Sequence, residues 1–243
     1  MAIETFNRYE TKFLLNRAQF EAMKKGIKDK VVPDAYNIND KCYTICNIYY
    51  DTADSQLIRE SLSKPAYKEK LRLRSYGVPK PGTPVFLEIK KKFDSIVNKR
   101  RTGIGIKAAD MLISHGIMPA PTPKMNKQVL NELYYFVSIY DLKPMVYIAY
   151  DRQAYAGIED KDLRITFDTN IRTRRYDLSL ESGDYGDPLL NEGVWLMEIK
   201  CSGAMPLWLT SILSANKIYK TSFSKYGTEY KHYLQGTGVK NYA

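Results

Sequence analysis

Lys68–Tyr76 reads KEKLRLRSY. Side chains of a β-strand alternate between its two faces. An extended reading therefore puts Lys68, Lys70, Arg72 and Arg74 on one side and Glu69, Leu71 and Leu73 on the other. The two leucines fit a face packed on a core. The four cations, two residues apart along one face, repel one another unless an anion lies among them. A single basic strand of this kind is ordinarily a solvated face. Here the pattern recurs. Val85–Lys92 (VFLEIKKK) gathers Phe86, Glu88, Lys90 and Lys92 on one side, and Ser95–Arg101 (SIVNKRR) alternates Lys99 and Arg101 against Arg100.

The rest of the chain is read around these strands. Asn7–Leu15 (NRYETKFLL) is a strand with Arg8, Glu10 and Lys12 on one face and Tyr9, Thr11, Phe13 and Leu15 on the other. Asn16 is placed to cap a helix over Arg17–Lys28, where Phe20, Met23, Lys24 and Ile27 recur at helical spacing. Lys41–Tyr50 is rich in β-branched and aromatic residues and reads as a strand. Asp51 or Thr52 can then cap a short helix over Ser55–Leu62. After the basic strands come helices over Ala108–Ser114 and Asn126–Ile139, separated by the Pro119–Pro123 stretch. Met145–Ala156 and Asp162–Arg174 are strands, the second alternating Arg164, Thr166, Asp168, Asn170 and Arg172 against apolar residues. Glu181–Asp187 is an acidic loop and Val194–Cys201 a further strand. Pro206 opens a helix over Leu207–Ile218, and a final helix begins near Lys225. Both strand groups carry the same kind of charged face, so a single domain spanning 1–243 is expected.

At 243 residues, with 44% hydrophobic and 26% charged residues, the composition is globular rather than disordered. The formal charge of +10 favours a polyanionic partner but does not choose among nucleic acid, phospholipid, nucleotide and phosphate polymers. Cys42, Cys46 and Cys201 lack the second Cys/His pair of a zinc site and read as free thiols of a reducing compartment. His115 and His232 stand in unrelated contexts. The start of the chain has no apolar signal core, and no apolar run is long enough to span a bilayer. A cytoplasmic location is expected, with membrane attachment left to a separate partner. The 20 tyrosines fall mostly opposite charged faces rather than among them, so nucleic acid is not an expected partner.

Glu-x-Lys appears three times, at Glu10/Lys12, Glu88/Lys90 and Glu198/Lys200. In a strand each motif sets a carboxylate beside an ammonium on one face. Taken singly, each is an exposed ion pair worth little. Three copies, together with Lys70, Arg72, Arg74, Lys99, Arg101, Arg152 and Arg164, point to one shared environment. The expected architecture is α+β: a closed antiparallel β-barrel flanked by helices, its interior holding more cations than carboxylates. A chain of phosphates relieves that repulsion through charge-assisted hydrogen bonds. A hard divalent ion needs one or two carboxylates besides phosphate oxygens and water, and Glu198, Glu10 and Glu88 are the candidates.

These motifs resemble the VTC domain, the polyphosphate polymerase branch of the triphosphate tunnel metalloenzymes, in the CYTH-like superfamily. The resemblance is carried by RYETK near the start, IYYDT at 48–52, KLRLRSY at 70–76, FLEIKKK at 86–92 and VNKRR at 97–101. It continues with YDRQAY at 150–155, LRITFDT at 163–169, LMEIK at 196–200 and SFSKY at 222–226. It implies a tunnel of antiparallel strands binding triphosphate or polyphosphate. The implied phosphate contacts are Lys12, Arg72, Arg74, Lys90, Lys99, Arg152, Arg164, Lys200 and Lys225, to which the alternating basic faces add Lys70 and Arg101. Glu198 matches the metal-binding glutamate, with Mn2+ or Mg2+ as the ion. In the family a basic residue tends to stand three positions before the lysine of SKY; this chain has Ser222 there, with Lys220 nearby.

The expected activity is metal-dependent transfer of the ATP γ-phosphoryl group to a polyphosphate chain. Arg72, Arg74, Arg152, Arg164 and Glu198 are the residues expected to carry it, because phosphoryl transfer demands positioning and charge neutralisation. Hydrolysis of inorganic or nucleoside triphosphate in the same tunnel is the alternative. A non-catalytic polyphosphate or inositol-phosphate module, which would not need Glu198, is a third reading. Arg72 and Arg74 are expected to be removable without unfolding the chain, since Leu71 and Leu73 carry the packing.

Overall fold

The computed structural model describes residues 9–94, 96–123 and 125–236. Asn7, Arg8 and Ser95, which the strand readings included, lie outside the described residues. Strand β1 (Tyr9–Leu15) runs through Asn16 into helix α1 (Arg17–Ile27). Asn16 Oδ1 accepts from the Gln19 N–H at 2.9 Å and Gln19 Oε1 accepts from the Asn16 N–H at 3.1 Å, a reciprocal capping box. There follow β2 (Val31–Pro33), β3 (Tyr43–Asp51) and α2 (Gln56–Leu62). Three long strands come next: β4 (Tyr67–Tyr76), β5 (Val85–Phe93) and β6 (Ile96–Ile104). Helices α3 (Ile106–His115) and α4 (Lys127–Ile139) precede β7 (Lys143–Gly157) and β8 (Arg164–Arg174). The described residues close with the two-residue β9 (Asp187–Pro188), β10 (Trp195–Cys201), α5 (Leu207–Ala215), the two-residue β11 (Lys220–Thr221) and α6 (Lys225–Gly236).

The described residues form two compact units, neither contiguous in sequence. The first holds residues 9–44, 150–171 and 188–223. Its strands are ordered β11-β1-β10-β8, followed by the second half of β7, to which β2 also pairs. Phe13 and Leu15 of β1, Ile165 and Phe167 of β8 and Met197 and Ile199 of β10 pack with Met23 and Ile27 of α1 and Leu209 and Leu213 of α5. The helices thus cover the apolar face of these strands. The opposite face carries Glu10, Lys12, Glu198, Lys200 and Arg164.

The second unit holds residues 45–149, 172–187 and 224–236, within the described set, with strand order β7-β3-β4-β5-β6. Leu71 and Leu73 of β4 and Leu87 and Ile89 of β5 are at most 3% exposed. They pack with Leu112 of α3 and Val129, Leu130, Leu133 and Phe136 of α4. Helix α2 starts on Asp51, whose carboxylate accepts from the Leu57 and Ile58 N–H groups and from the Tyr226 hydroxyl. Burial pushes its pKa up, although those hydrogen bonds oppose the shift.

Three expectations are corrected. The sheet is antiparallel and flanked by helices, but it is not a closed barrel. Among the described residues no ladder joins β6 to β11, and β11 is two residues long, too short to carry pairing on its outer side. The even alternation expected through Asp162–Arg174 breaks at Asn170, whose φ of 47° is left-handed; Thr173 and Arg174 beyond it are both buried. The helix expected over Leu207–Ile218 also stops at Ala215, where the Asn216 N–H bonds Ile212 O and Lys217 turns to a φ of 53°.

Candidate phosphate-binding faces

In the second unit the strand register turns the basic motifs into rows. Lys70 stands opposite Lys90, and Lys90 opposite Lys99; Arg72 stands opposite Glu88, and Glu88 opposite Arg101; Lys68 stands opposite Lys92. On this face of β4, β5 and β6, Glu88 is the one carboxylate, and it is 1% exposed. Arg72 Nε lies 2.7 Å from Glu88 Oε2, Arg74 Nε 3.8 Å from the same oxygen, and Lys99 Nζ 3.0 Å from Oε1. Burial alone would raise the Glu88 pKa; Arg72, Arg74 and Lys99 overcome it and hold the carboxyl well below the usual range. Glu88 therefore works as an internal counter-ion for three cations. That leaves it poorly suited to a metal.

Two neighbours on β3 complete the arrangement. Arg72 Nη1 donates to the Tyr49 hydroxyl at 3.0 Å and Arg74 Nε donates to Asn47 Oδ1 at 3.0 Å. Asn47 is in turn fixed by donating to Ile148 O. These bonds hold both guanidinium planes before any ligand arrives, which lowers the ordering cost of binding. Arg101 stacks over the Phe86 ring at 5.0 Å. Lys70 Nζ donates to Ser224 Oγ at 3.4 Å, and Lys225 is the first residue of α6.

Lys99 has a second property. Desolvation pushes its pKa down, Arg72 and Arg74 add to that shift, and Glu88 opposes it; the result is about 7. A phosphate ligand binds the ammonium form. Apparent affinity scales with the fraction of protein in that form, so triphosphate binding should weaken up to about tenfold between pH 6 and pH 8. Triphosphate itself gains charge over the same range, which works in the opposite direction. Lys99→Arg keeps the charge and shares that ligand term. The expected result, by calorimetry, is a steeper loss of affinity with pH for the wild type than for Lys99→Arg; parallel pH profiles would remove Lys99 from the titration.

In the first unit, Glu10 stands opposite Lys200 and Lys12 opposite Glu198. Lys12 Nζ is 3.4 Å from Glu10 Oε1 and 3.5 Å from Glu198 Oε1; Lys200 Nζ is 3.5 Å from Glu10 Oε2 and 3.7 Å from Glu198 Oε2. Each carboxylate thus turns one oxygen to each lysine, at separations longer than good hydrogen bonds. Lys12 also donates to Phe223 O at 2.9 Å. Lys200 pairs across to Arg164, whose Nη1 donates to Lys161 O and Leu163 O. Arg152 forms a two-point pair with the fully buried Asp168, at 2.6 and 2.8 Å. Its pKa lies well above the ordinary value: burial would lower it, and Asp168 dominates.

The fit of a divalent ion is tested by the donors present. Among the described residues no group of three His, Cys, Asp or Glu is arranged to hold a metal. Glu10, partly exposed, and Glu198, buried, offer two carboxylates. The Thr166 hydroxyl, opposite Glu198, is buried with no hydrogen-bond partner. Such a sparse, all-oxygen set suits a hard cation that takes its remaining ligands from phosphate and water.

The structure thus brings Lys70, Arg72, Arg74, Glu88, Lys90, Lys99 and Arg101 onto one face of the second unit. It brings Glu10, Lys12, Arg152, Arg164, Glu198 and Lys200 onto one face of the first. Sequence reasoning missed Asp168, Tyr49 and Asn47. The first was visible as the same-face neighbour of Arg164 in LRITFDT. The other two had no signal beyond their place on a strand beside the basic one.

A computed comparison with solved structures finds a candidate adenylate cyclase of Bacillus halodurans at 16% identity, covering 88% of this chain and 92% of that one, with a TM-score of 0.50. That likeness concerns the fold alone. Two further solved structures have TM-scores below 0.5. One is a candidate adenylate cyclase of Vibrio parahaemolyticus, at 11% identity, 96% and 99% coverage and a TM-score of 0.47. The other is HpAC1 of Hippeastrum, a candidate adenylyl cyclase with a dominant triphosphatase activity, at 13% identity, 96% and 97% coverage and a TM-score of 0.49. No curated protein matches significantly. The family model of the VTC domain matches residues 7–234, nearly the whole chain. The chain belongs to the VTC domain family.

Proposed function

We propose that this chain is a metal-dependent polyphosphate polymerase that transfers the γ-phosphoryl group of ATP to a phosphate chain. The observation that carries the reading is the face of β4, β5 and β6, where rows of lysine and arginine surround one buried carboxylate. Membership of the VTC domain family supports it. The nucleophile is a substrate phosphate oxygen, so the protein needs no nucleophile of its own.

Each face contributes what its residues hold. Arg72 and Arg74, fixed by Tyr49, Asn47 and Glu88, present pre-set guanidinium groups to phosphate oxygens. Lys70, Lys90, Lys99, Arg101 and Lys225 add charge along the chain of phosphates. Lys12, Lys200, Arg164 and Arg152 do the same on the first unit's face, where Arg152 keeps Nη1 outside its pair with Asp168. Glu198, with Glu10 beside it, would hold Mn2+ or Mg2+, and such an ion supplies Lewis-acid neutralisation of phosphate oxygens. We take residues 1–243 to act as a single catalytic domain. No described helix is long and apolar enough to cross a membrane.

The test is product analysis after incubation with ATP and manganese. Polymer growth with ADP release is the expected result. Orthophosphate as the sole phosphate product would assign hydrolysis instead, and binding without turnover would assign a sensor.

A further inference from the structure

At one end of β4, β5 and β6 the register aligns Tyr67 with Phe93 and Phe93 with Ile96. These side chains lie on one face, and they are 47%, 59% and 49% exposed. They share the face of Leu71, Leu73, Leu87 and Ile89, whose apolar surface the helices bury, but lie beyond the row of Glu69, Lys91 and Asn98 and stay about half exposed among the described residues. Lysines crowd the same end. Lys91 lies on the apolar side, 3.7 Å from Glu69; Lys92 and Lys68 face each other on the opposite side; Lys64 precedes the strand. Burial lowers the Lys68 pKa, and the nearby Lys92 and Lys64 add to the shift, so the three ammonium groups already repel one another. An apolar row beside Lys64, Lys68 and Lys92 fits neither water nor a neutral apolar partner.

We propose that this strand end is a peripheral membrane-contact site, with Tyr67, Phe93 and Ile96 entering the interface of an anionic bilayer and the lysines meeting lipid headgroups. Area decides against a protein partner. A large aromatic side chain offers on the order of 150–250 Å², so three side chains about half exposed present on the order of 300 Å². A stable protein interface takes roughly 800 Å² from each partner. A bilayer has no such requirement: a few aromatic and aliphatic side chains, with lysines whose stems lie along the boundary, suffice for reversible attachment. The row is separate from the phosphate-binding rows around Glu88, so the inference stands whether or not the chain is a polymerase.

The experiment is vesicle flotation of the full chain at physiological salt, with saturating triphosphate to occupy the phosphate-binding face. Vesicles are phosphatidylcholine alone or with phosphatidylserine. The wild type should bind the anionic vesicles at least tenfold more tightly than the neutral ones. Phe93→Ser/Ile96→Ser should lose at least tenfold of that affinity while keeping its melting temperature and triphosphate-induced shift. In Phe93→Trp, which retains the apolar contact, indole emission should shift to the blue on adding anionic vesicles. No binding by the wild type, or unchanged binding by a folded double variant, would overturn the proposal. So would self-association of the wild type that the double variant abolishes, because the row would then join two copies of the chain.

Discussion

Glu198→Gln is expected to abolish most turnover while leaving triphosphate bound. Its carboxylate lies on the first unit's charged face, with Lys12 at 3.5 Å and Lys200 at 3.7 Å, neither a close hydrogen bond. A carboxamide fills the same volume, so packing should survive. It removes the negative charge a hard cation requires, and the loss in turnover should reach about a hundredfold at limiting manganese. Anion binding should be unchanged or slightly stronger, because one repulsive charge has gone and two lysines are released. Steady-state kinetics across a manganese titration, with calorimetry for triphosphate, separates the two effects. Wild-type turnover at limiting manganese would mean that Glu198 is not the principal ligand. Glu10→Gln should show a milder version of the same defect, since it leaves Glu198 in place.

The period of two in KEKLRLRSY and FLEIKKK was enough to assign which side chains share a face, because alternation is a local property of extended backbone. Leu71, Leu73, Leu87 and Ile89 are buried and Lys70, Arg72, Lys90 and Lys99 share the other side, as that period requires. Partner choice is a different matter. Arg152 meets Asp168, and Arg72 meets Tyr49, across pairs of neighbouring strands, and the register that sets them opposite is fixed between strands rather than by the alternation within either one. The same limit explains the barrel. A row of amphipathic strands implies a sheet, but closure depends on edge strands such as β11, whose two paired residues carry no periodic pattern. Asn170 shows the local failure: LRITFDTNIRTR alternates in composition, yet one left-handed residue resets the phase.

Glu88 changes what should follow from removing Arg72. From composition alone, deleting one cation from a crowded basic face should relieve repulsion and leave the fold intact. In the structure Arg72 Nε and Nη2 each lie 2.7 Å from Glu88 Oε2, and Glu88 is 1% exposed. Arg72→Ala therefore leaves a buried carboxylate with Lys99 and a more distant Arg74. Removing one partner of a buried charged pair is costly because the other stays desolvated. With Arg72 itself about a fifth exposed, the cost should be about 1–3 kcal/mol. For a chain of this length that lowers Tm by several degrees. Triphosphate affinity should fall by about one to two decades, the worth of a charge-assisted hydrogen bond. Arg72→Ala/Glu88→Gln separates the two roles. Neutralising the stranded carboxylate should restore much of the melting temperature, while the ligand-induced shift stays small because the guanidinium that meets phosphate is still missing. A double variant that recovers the ligand shift along with stability would make Arg72 structural only. A single variant with wild-type melting and a wild-type shift would remove the β4 face from the site.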